Sequence, residues 1–374
     1  MYKRIVFFGA LPQKDESKTG GGEWGNLRTV KMLRQFGYDV VTIRKTSVKP
    51  TCSRLFIYLT VPFRTICDIV KTIFCTLNVK NVVFHYSGFA WKTILLEYII
   101  IRVAKFWGCH LIYEIRGGGL LKTYAESGNG YKNKLKYILN HSDYVFSQGQ
   151  ENIPLITKLS EVPVYHYANC ISADFYPSKL PAKPLEIINL IYFGRISPDK
   201  NLSLIVDAAR ILQQSGWKIS LTIIGNGQDK AYVSRIHNEI HNKLNKNSYL
   251  IIPGCTHEKL KDFLIDKHFY IFPSQVVLEG QSNSVTEAMS YGIIPIASPQ
   301  GFNRSTIGDD RLIIDKFDAA DYAKRINEII DNNEFDSYSN YVYKRFLDNY
   351  TEEVVFEKTK VIYKSIFDHF VENG

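Results

Sequence analysis

Short runs of apolar residues alternate along this chain with longer stretches in which apolar positions recur every three or four residues. The first pattern is that of strands buried on both faces, and the second that of helices laid against them. Their alternation predicts parallel sheets covered by helices on both sides. A first series of strands is expected at Arg4–Phe8, Asp39–Ile43, Asn81–His85, His110–Glu114, Asp143–Ser147 and Val162–Tyr167. The segment Tyr176-Pro177-Ser178-Lys179-Leu180-Pro181-Ala182-Lys183-Pro184 interrupts it, and its three prolines predict an extended connector. The series then restarts at Ile188–Phe193, Ile219–Ile224, Tyr249–Ile252, Phe269–Phe272, Ile294–Ala297 and Arg311–Ile314. A length of 374 residues also favours two domains over one core. The expected division is 1–178 and 186–351, each an α/β Rossmann-like unit, with a last helix at about 352–374 that could return to the first domain. Ligands are expected beyond the carboxyl ends of the strands, in a cleft between the two domains.

Composition changes this picture little. A hydrophobic fraction of 45% and a charged fraction of 22% are those of an ordinary globular protein. The six cysteines are scattered without a Cys-x-x-Cys pair, which argues against zinc and fits free thiols in a reducing, cytoplasmic compartment. The segment Met1–Gly9 is too short and too strand-like for a signal peptide.

Charge adds more. Through residue 187 the chain carries 25 Lys/Arg against 13 Asp/Glu, a surplus of 12; the remainder carries 21 against 24. A basic first half suits phosphates or an anionic lipid surface, although a merely solvated basic surface would look the same. The basic residues are dispersed without a nucleic-acid reader motif, so no nucleic acid is expected as partner. Two stretches invite a membrane reading. Leu55–Phe74 is broken by Pro62 and carries Arg64, Asp68 and Lys71, and Thr93–Trp107 contains Glu97, Arg102 and Lys105. Neither offers the roughly 20 apolar residues of a spanning helix. Amphipathic helices packed on a sheet are expected, with docking on a membrane surface as the second reading.

Several turns carry candidate chemistry. Gly20-Gly21-Gly22 follows the first strand and precedes a helix, a place where backbone N–H groups and a helix N-terminus favour an anion. The spacing is neither Gly-x-Gly-x-x-Gly nor Gly-x-x-x-x-Gly-Lys, which disfavours dinucleotide enzymes and P-loop NTPases. Gly194-Arg195 and Lys200 come directly after a strand, where two cations could grip a diphosphate. Gly225-Asn226-Gly227 makes another glycine turn. In the stretch Phe272–Gly292 a strand ends, a loop carries Glu279, and a helix is expected from about Ser282 with Glu287 a turn inside it. The N–H groups of Ser282, Asn283, Ser284 and Val285 would then face an anion, with Glu279 and Glu287 placed to accept hydroxyl protons.

These features resemble the donor-binding half of family-4 glycosyltransferases of the GT-B fold, of the type acting in bacterial polysaccharide and lipopolysaccharide synthesis. The matched residues are Gly194-Arg195 with Lys200, Gly225 and Gly227, Pro253-Gly254-Cys255, and Glu279 to Gly292. The first domain resembles the family more loosely, through Gly20-Gly21-Gly22 and Tyr113-Glu114-Ile115-Arg116-Gly117. By that resemblance Arg195 and Lys200 bind the donor diphosphate, Glu279 the transferred sugar and Glu287 the ribose, with Gly254 and Cys255 near the base. The resemblance implies a retaining, metal-independent reaction on a UDP- or GDP-linked sugar with no cofactor. The acceptor would be a glycan or a polyprenyl-diphosphate-linked intermediate of O-antigen or capsule, met by an enzyme that is cytoplasmic or peripheral on the inner membrane face. The sequence holds no Asp-x-Asp pair of the kind that seats a metal against a diphosphate.

One departure stands out: where many members have a His at the end of the fourth strand, this chain has Arg116. Glu114 and Arg116 either line a sugar or acceptor pocket or form a structural ion pair, and His85, read as following the third strand, is a further pocket candidate. Two other functions share the architecture: a sugar-nucleotide isomerase, and a non-catalytic sugar-nucleotide-binding partner.

Overall fold

The computed structural model describes residues 4–12, 21–46, 59–77 and 82–372. The chain divides into two units, one made of residues 1–168 and 356–374, the other of residues 169–355. In the first, the apolar runs become β1 (Arg4–Gly9), β2 (Asp39–Arg44), β3 (Val82–Gly88), β4 (His110–Ile115), β5 (Tyr144–Ser147) and β6 (Val164–His166). All pairings are parallel, in the order β2-β1-β3-β4-β5-β6. The helices between them are α1 (Gly21–Gln35), α2 (Val61–Thr76), α3 (Ile94–Phe106), α4 (Leu120–Glu126), α5 (Asn129–His141) and α6 (Ile153–Leu159).

The strands supply two cores because successive side chains point to opposite faces. Val6, Phe8, Phe84, Tyr86, Leu111 and Val145 face a core closed by α3, α5 and α6. Their neighbours Ile5, Phe7, Val83, Ile112 and Phe146 face the other, closed by α1 and by Tyr363, Ile366 and Phe367 of the last helix. Full burial of such side chains contributes about 1.5–3 kcal/mol each, which is what ties this helix to the first unit.

The second unit holds β7 (Ile188–Phe193), β8 (Ile219–Ile224), β9 (Tyr249–Ile252), β10 (Phe269–Phe272) and β11 (Ile294–Ala297), parallel in the order β11-β10-β7-β8-β9. Its helices are α7 (Leu202–Gln214), α8 (Lys230–Lys243), α9 (His257–Leu264), α10 (Asn283–Met289), α11 (Asn303–Ile307), α12 (Ala319–Asp331) and α13 (Phe335–Asn349). The last helix, α14 (Glu352–Glu372), belongs to the first unit from Phe356 onward. Side-chain caps set several helix starts: Asp229 accepts from Tyr232 N at α8, Thr256 from Lys259 N at α9, and Asp318 from Ala320 N at α12.

Several sequence expectations need correcting. The units part at residue 168/169, not at the proline segment, because residues 169–178 are bound into the second unit. Asn169 hydrogen-bonds Gln281 and Asn283, and Ile171 N donates to Tyr350 O at 2.9 Å. The third strand continues to Gly88, so His85 lies within it and not after it. The sixth strand is shorter than expected. The expected strand Arg311–Ile314 is instead a 3-10 turn, Asp310–Leu312, with one parallel bridge from Ile313 to Ala297. Asp309, whose carboxylate accepts from Arg311 N at 2.9 Å, starts that turn and takes the backbone out of the ladder. Helix α1 begins at Gly21, which places Gly21 and Gly22 in its first turn; Gly20 lies outside the described residues.

Candidate functional site

In the second sheet the chain runs from β7 outward to β8 and β9, then returns to lay β10 and β11 on the other side of β7. The loops leaving β7 and β10 therefore diverge from adjacent strand ends, the position at which open α/β sheets hold ligands. These two loops carry the sequence-predicted residues Arg195, Lys200 and Glu279.

They are stitched together at both backbone and side-chain level. Gln275 N donates to Asp199 O at 2.8 Å. The turn Pro198–Lys200 ends on Asn201 in the left-handed region (φ +53), and this directs Lys200 inward. Its ammonium lies 5.0 Å from the centroid of the Phe272 ring, donates to the Glu279 carboxylate and reaches Ser274 Oγ at 3.4 Å. Ser274 Oγ donates in turn to Glu279 Oε2 at 2.9 Å. Lys200 and Glu279 side chains are only 10% and 17% exposed, so their attraction is screened far less than at an open surface. Arg195 differs: its side chain is 59% exposed and reaches Asp199 at 3.2 Å. Of the two cations, one is buried in a hydrogen-bonded triad with Ser274 and Glu279, while the other lies largely in solvent, paired with Asp199.

The glycines have a packing reason. A Cβ on Gly225 would stand 2.0 Å from Gly194 O, and one on Gly227 would stand 2.4 Å from Ile196 O. Backbone bonds cross the same gap, Gly194 N to Ile224 O at 3.0 Å and Ile196 N to Asn226 O at 2.9 Å. The turn Gly225-Asn226-Gly227 thus presses on the loop that bears Arg195. Asn226 extends the contact by accepting from Gly254 N at 3.1 Å, next to Cys255. Burial pushes the Cys255 thiol up, which keeps it protonated and a poor nucleophile at neutral pH.

Helix α10 starts as expected, with Ser282 at its N-cap and Asn283, Ser284 and Val285 in the first turn. Its position is set by hydroxyls: Tyr270 OH donates to Ser284 Oγ at 2.7 Å, and Ser282 and Ser284 hydroxyls are 3.0 Å apart. Glu287 is 5% exposed, and its Oε1 lies 3.6 Å from Nε2 of the exposed His257.

Sequence reasoning missed Ser274, although a polar residue two positions past a strand end was a usable signal. It also missed Asn169 and Gln281, which brace the turn into α10 (Asn169 N to Gln281 Oε1, 2.6 Å), and Gly301, whose added Cβ would meet Glu279 O at 2.3 Å. Only the folded chain brings Asn169 and Gly301 to the loop.

The remaining candidates lie in the first unit. His85, Glu114 and Arg116 are 0%, 0% and 3% exposed and form one network. Arg116 Nη2 reaches Glu114 Oε1 at 2.8 Å, and His85 Nε2 reaches Glu114 Oε2 at 3.1 Å. The other His85 nitrogen bonds Tyr363 OH on α14 at 2.5 Å. Arg116 also donates to Ser87 Oγ (3.0 Å) and Thr29 Oγ1 (3.2 Å). Burial alone would raise the Glu114 carboxyl, but the Arg116 guanidinium and hydrogen bonds from His85 and Ser87 outweigh it and hold it below the ordinary carboxylate range. In this arrangement all three side chains hold strands β3 and β4 to α1 and α14.

A cavity of about 710 Å³ opens in the second unit between α8 and the edge strand β9, lined on one side by the Gly225-Asn226-Gly227 turn and Pro253. Among the described residues no three His, Cys, Asp or Glu side chains gather as a metal site would require, and no helix is long and apolar enough to cross a membrane.

Residues 179–345 match the family described as Glycosyl transferases group 1. That span takes in Lys200, Ser274, Glu279 and Glu287. Protein CapJ of Staphylococcus aureus is 26% identical over 197 residues, 50% of this chain and 48% of that protein, so the match spans about half the length of this relative. Among solved structures, a sucrose-phosphate synthase from Thermosynechococcus elongatus has a TM-score of 0.72 at 17% identity, covering 98% of this chain and 100% of that one. HepE from Anabaena in complex with UDP has a TM-score of 0.69 at 12% identity, covering 97% and 100%. A glycosyltransferase from Rickettsia africae has a TM-score of 0.69 at 14% identity, covering 97% and 98%. At these identities the structural likeness shows the fold, two parallel-sheet α/β units of GT-B type. With the group 1 match it supports a GT-B glycosyltransferase.

Proposed function

We propose that this chain is a retaining, metal-independent glycosyltransferase of the family-4 type. Its donor is a sugar linked to a nucleoside diphosphate, and its acceptor a glycan or polyprenyl-linked intermediate of O-antigen or capsule, met at the cytoplasmic face of the membrane. The observation that carries the reading is the Lys200–Ser274–Glu279 triad at the adjoining ends of β7 and β10, inside the segment that matches the group 1 family. HepE structures with UDP and with UDP-glucose support a UDP-linked donor.

The chemistry follows from the charges. Leaving of the diphosphate puts negative charge on its oxygens, and fixed donors facing those oxygens lower the barrier. An ammonium has three protons; Glu279 and Ser274 take two of Lys200's, and the third serves a phosphate oxygen. Arg195 leaves Asp199 for the diphosphate at little cost, since exposed pairs are worth about 0–1 kcal/mol. The first-turn amides of α10 face the same anion. Glu279 accepts a sugar hydroxyl through the oxygen not engaged by Lys200, and Glu287 takes the ribose hydroxyls. The buried Lys200–Glu279 pair is nearly neutral, so it orders the donor without repelling it, and Arg195 supplies the uncompensated charge. Among the described residues no side chain stands out as a nucleophile; in this reading the departing phosphate takes the acceptor proton on the same face.

The test is transfer from UDP- and GDP-sugars to lipid-linked acceptors, with the anomeric configuration of the product read by NMR. Retention, together with a loss of turnover of 100-fold or more in Arg195→Ala (about 2.7 kcal/mol of transition-state stabilisation), is the expected result. An inverted product, or undiminished transfer in that variant, overturns the reading.

A further inference from the structure

Helix α2 carries apolar residues on two sides. The side it turns to the protein combines Ile69 and Cys75, which pack against the first core, with three buried polar residues, Asp68, Thr72 and Thr76, that are 0%, 0% and 1% exposed. Asp68 accepts from both the backbone N–H (3.0 Å) and the hydroxyl (2.6 Å) of Thr46, and the two threonine hydroxyls donate to carbonyls one turn back, each at 2.8 Å. The side it turns outward is apolar. Leu59, Phe63, Ile66, Val70, Phe74 and Leu77, which recur every three or four residues, are between 37% and 77% exposed. At 100° per residue these six fall within a stripe about 80° wide, opposite the buried polar side. Scattered apolar residues at a surface need no explanation, but a continuous stripe along a whole helix marks something to be covered.

The charges beside it select the covering. The acid of α2, Asp68, is buried and pairs at 3.4 Å with Lys71, whose ammonium also donates to Thr46 Oγ1 at 2.7 Å, while Arg64 remains partly exposed. On α3, which packs next to it, the acid Glu97 is likewise 0% exposed, and the outward charges are Arg102 and, ahead of the helix, Lys92. Both helices hide their carboxylates and show only cations, within a half of the chain that carries a surplus of 12 positive charges. A second copy of this surface would set cations against cations. An anionic lipid surface meets both features, apolar side chains entering the acyl boundary and cations meeting the headgroups.

We propose that α2 lies in the plane of an anionic membrane, with Phe63, Ile66, Val70 and Phe74 inserted. This names the surface through which the proposed enzyme would reach a lipid-linked acceptor, but its evidence is independent of the sugar chemistry.

The test uses the full chain with vesicles of mixed phosphatidylglycerol and phosphatidylcholine, and with phosphatidylcholine alone, in a flotation assay without sugar nucleotide. The wild type should float with anionic vesicles, weakly with neutral ones, and less as salt is raised. Phe63→Ser/Ile66→Ser/Phe74→Ser should lose at least tenfold in partitioning while its thermal unfolding stays unchanged. Phe63→Ser and Phe74→Ser singly should each give part of that loss should the triple variant fold poorly. Failure of the wild type to bind anionic vesicles overturns the proposal. So does undiminished binding by the stripe variants, or a wild-type dimer that the variants convert to monomer. Binding in a chain that transfers no sugar would refute the proposed activity and leave this surface standing.

Discussion

Lys200 and Glu279 meet across 79 residues of sequence with side chains only 10% and 17% exposed, so their pairing should be measurable as a coupling energy. Removing one partner of a fully buried pair costs about 3–5 kcal/mol, because the other is left charged and uncompensated. Here the slight exposure and the Ser274 hydroxyl, which keeps donating to Glu279 at 2.9 Å, soften the loss. Lys200→Met should therefore destabilise the second unit by about 2–3 kcal/mol. Glu279→Gln retains an acceptor for both neighbours and should cost about 1–2 kcal/mol. The double variant should fall short of the sum by about 1–2 kcal/mol, since once the pair is gone neither charge remains to be stranded. For a unit of this size each kcal/mol moves the midpoint by roughly 2–4 °C, so calorimetry resolves all three. Costs that add to within about 0.5 kcal/mol would show that the two groups do not interact, and the triad as the basis of the site would fail.

Gly225→Ala forces a methyl group against the Gly194 carbonyl, 2.0 Å away, and should cost about 1–3 kcal/mol as well as weakening donor binding; Gly130→Ala, inside α5 and meeting only the end of Lys134 at 3.8 Å, should be neutral or slightly stabilising in the same melts. Arg116→Met strands the buried Glu114 and should destabilise the first unit by about 3–5 kcal/mol, seen as a lower urea midpoint. Glu114 is held below the ordinary carboxylate range, so its contribution is complete above that range and disappears as pH falls through its depressed value; Arg116→Met should flatten that limb of a stability–pH curve. His268 is pushed down to about 4 by burial and by the nearby Lys183. Between pH 6.5 and 4 the unfolded chain binds a proton that the folded one refuses, so stability should fall with pH by up to about 3 kcal/mol, and His268→Gln should remove that slope.

Strand periodicity made most of the fold legible. Apolar runs with buried neighbours on both faces have few other readings, and five of the second unit's expected strands match to the residue. The failures share a cause. At Arg311–Ile314 the apolar signal was present, but the Asp309 side chain capped a turn, a local bond that periodicity does not register. At Tyr176–Pro184 the prolines correctly argued against a helix but did not give the segment's allegiance, which is decided by Asn169 and Ile171 contacting residues more than a hundred positions away. His85 was misplaced because Tyr86, Ser87 and Gly88 look like a turn in sequence, whereas Ser87 and Gly88 pair with Glu114 and Ile115. At the site, residue types and spacing picked out Lys200 and Glu279 but described them as separate ligand-holding groups. That they bind each other directly, with Ser274 bonded to both, is a fact of the strand order, which sets the ends of β7 and β10 side by side.

In the proposed function a nucleoside diphosphate sits at the ends of β7 and β10. Its most direct test is thermal unfolding of the wild type and of Arg195→Ala with UDP, GDP and their sugar conjugates. One nucleotide should stabilise the wild type by about 2.7 kcal/mol at a hundred times its dissociation constant, and much less in the variant at the same concentration. Stabilisation by none of them, or equal stabilisation of both proteins, would contradict it.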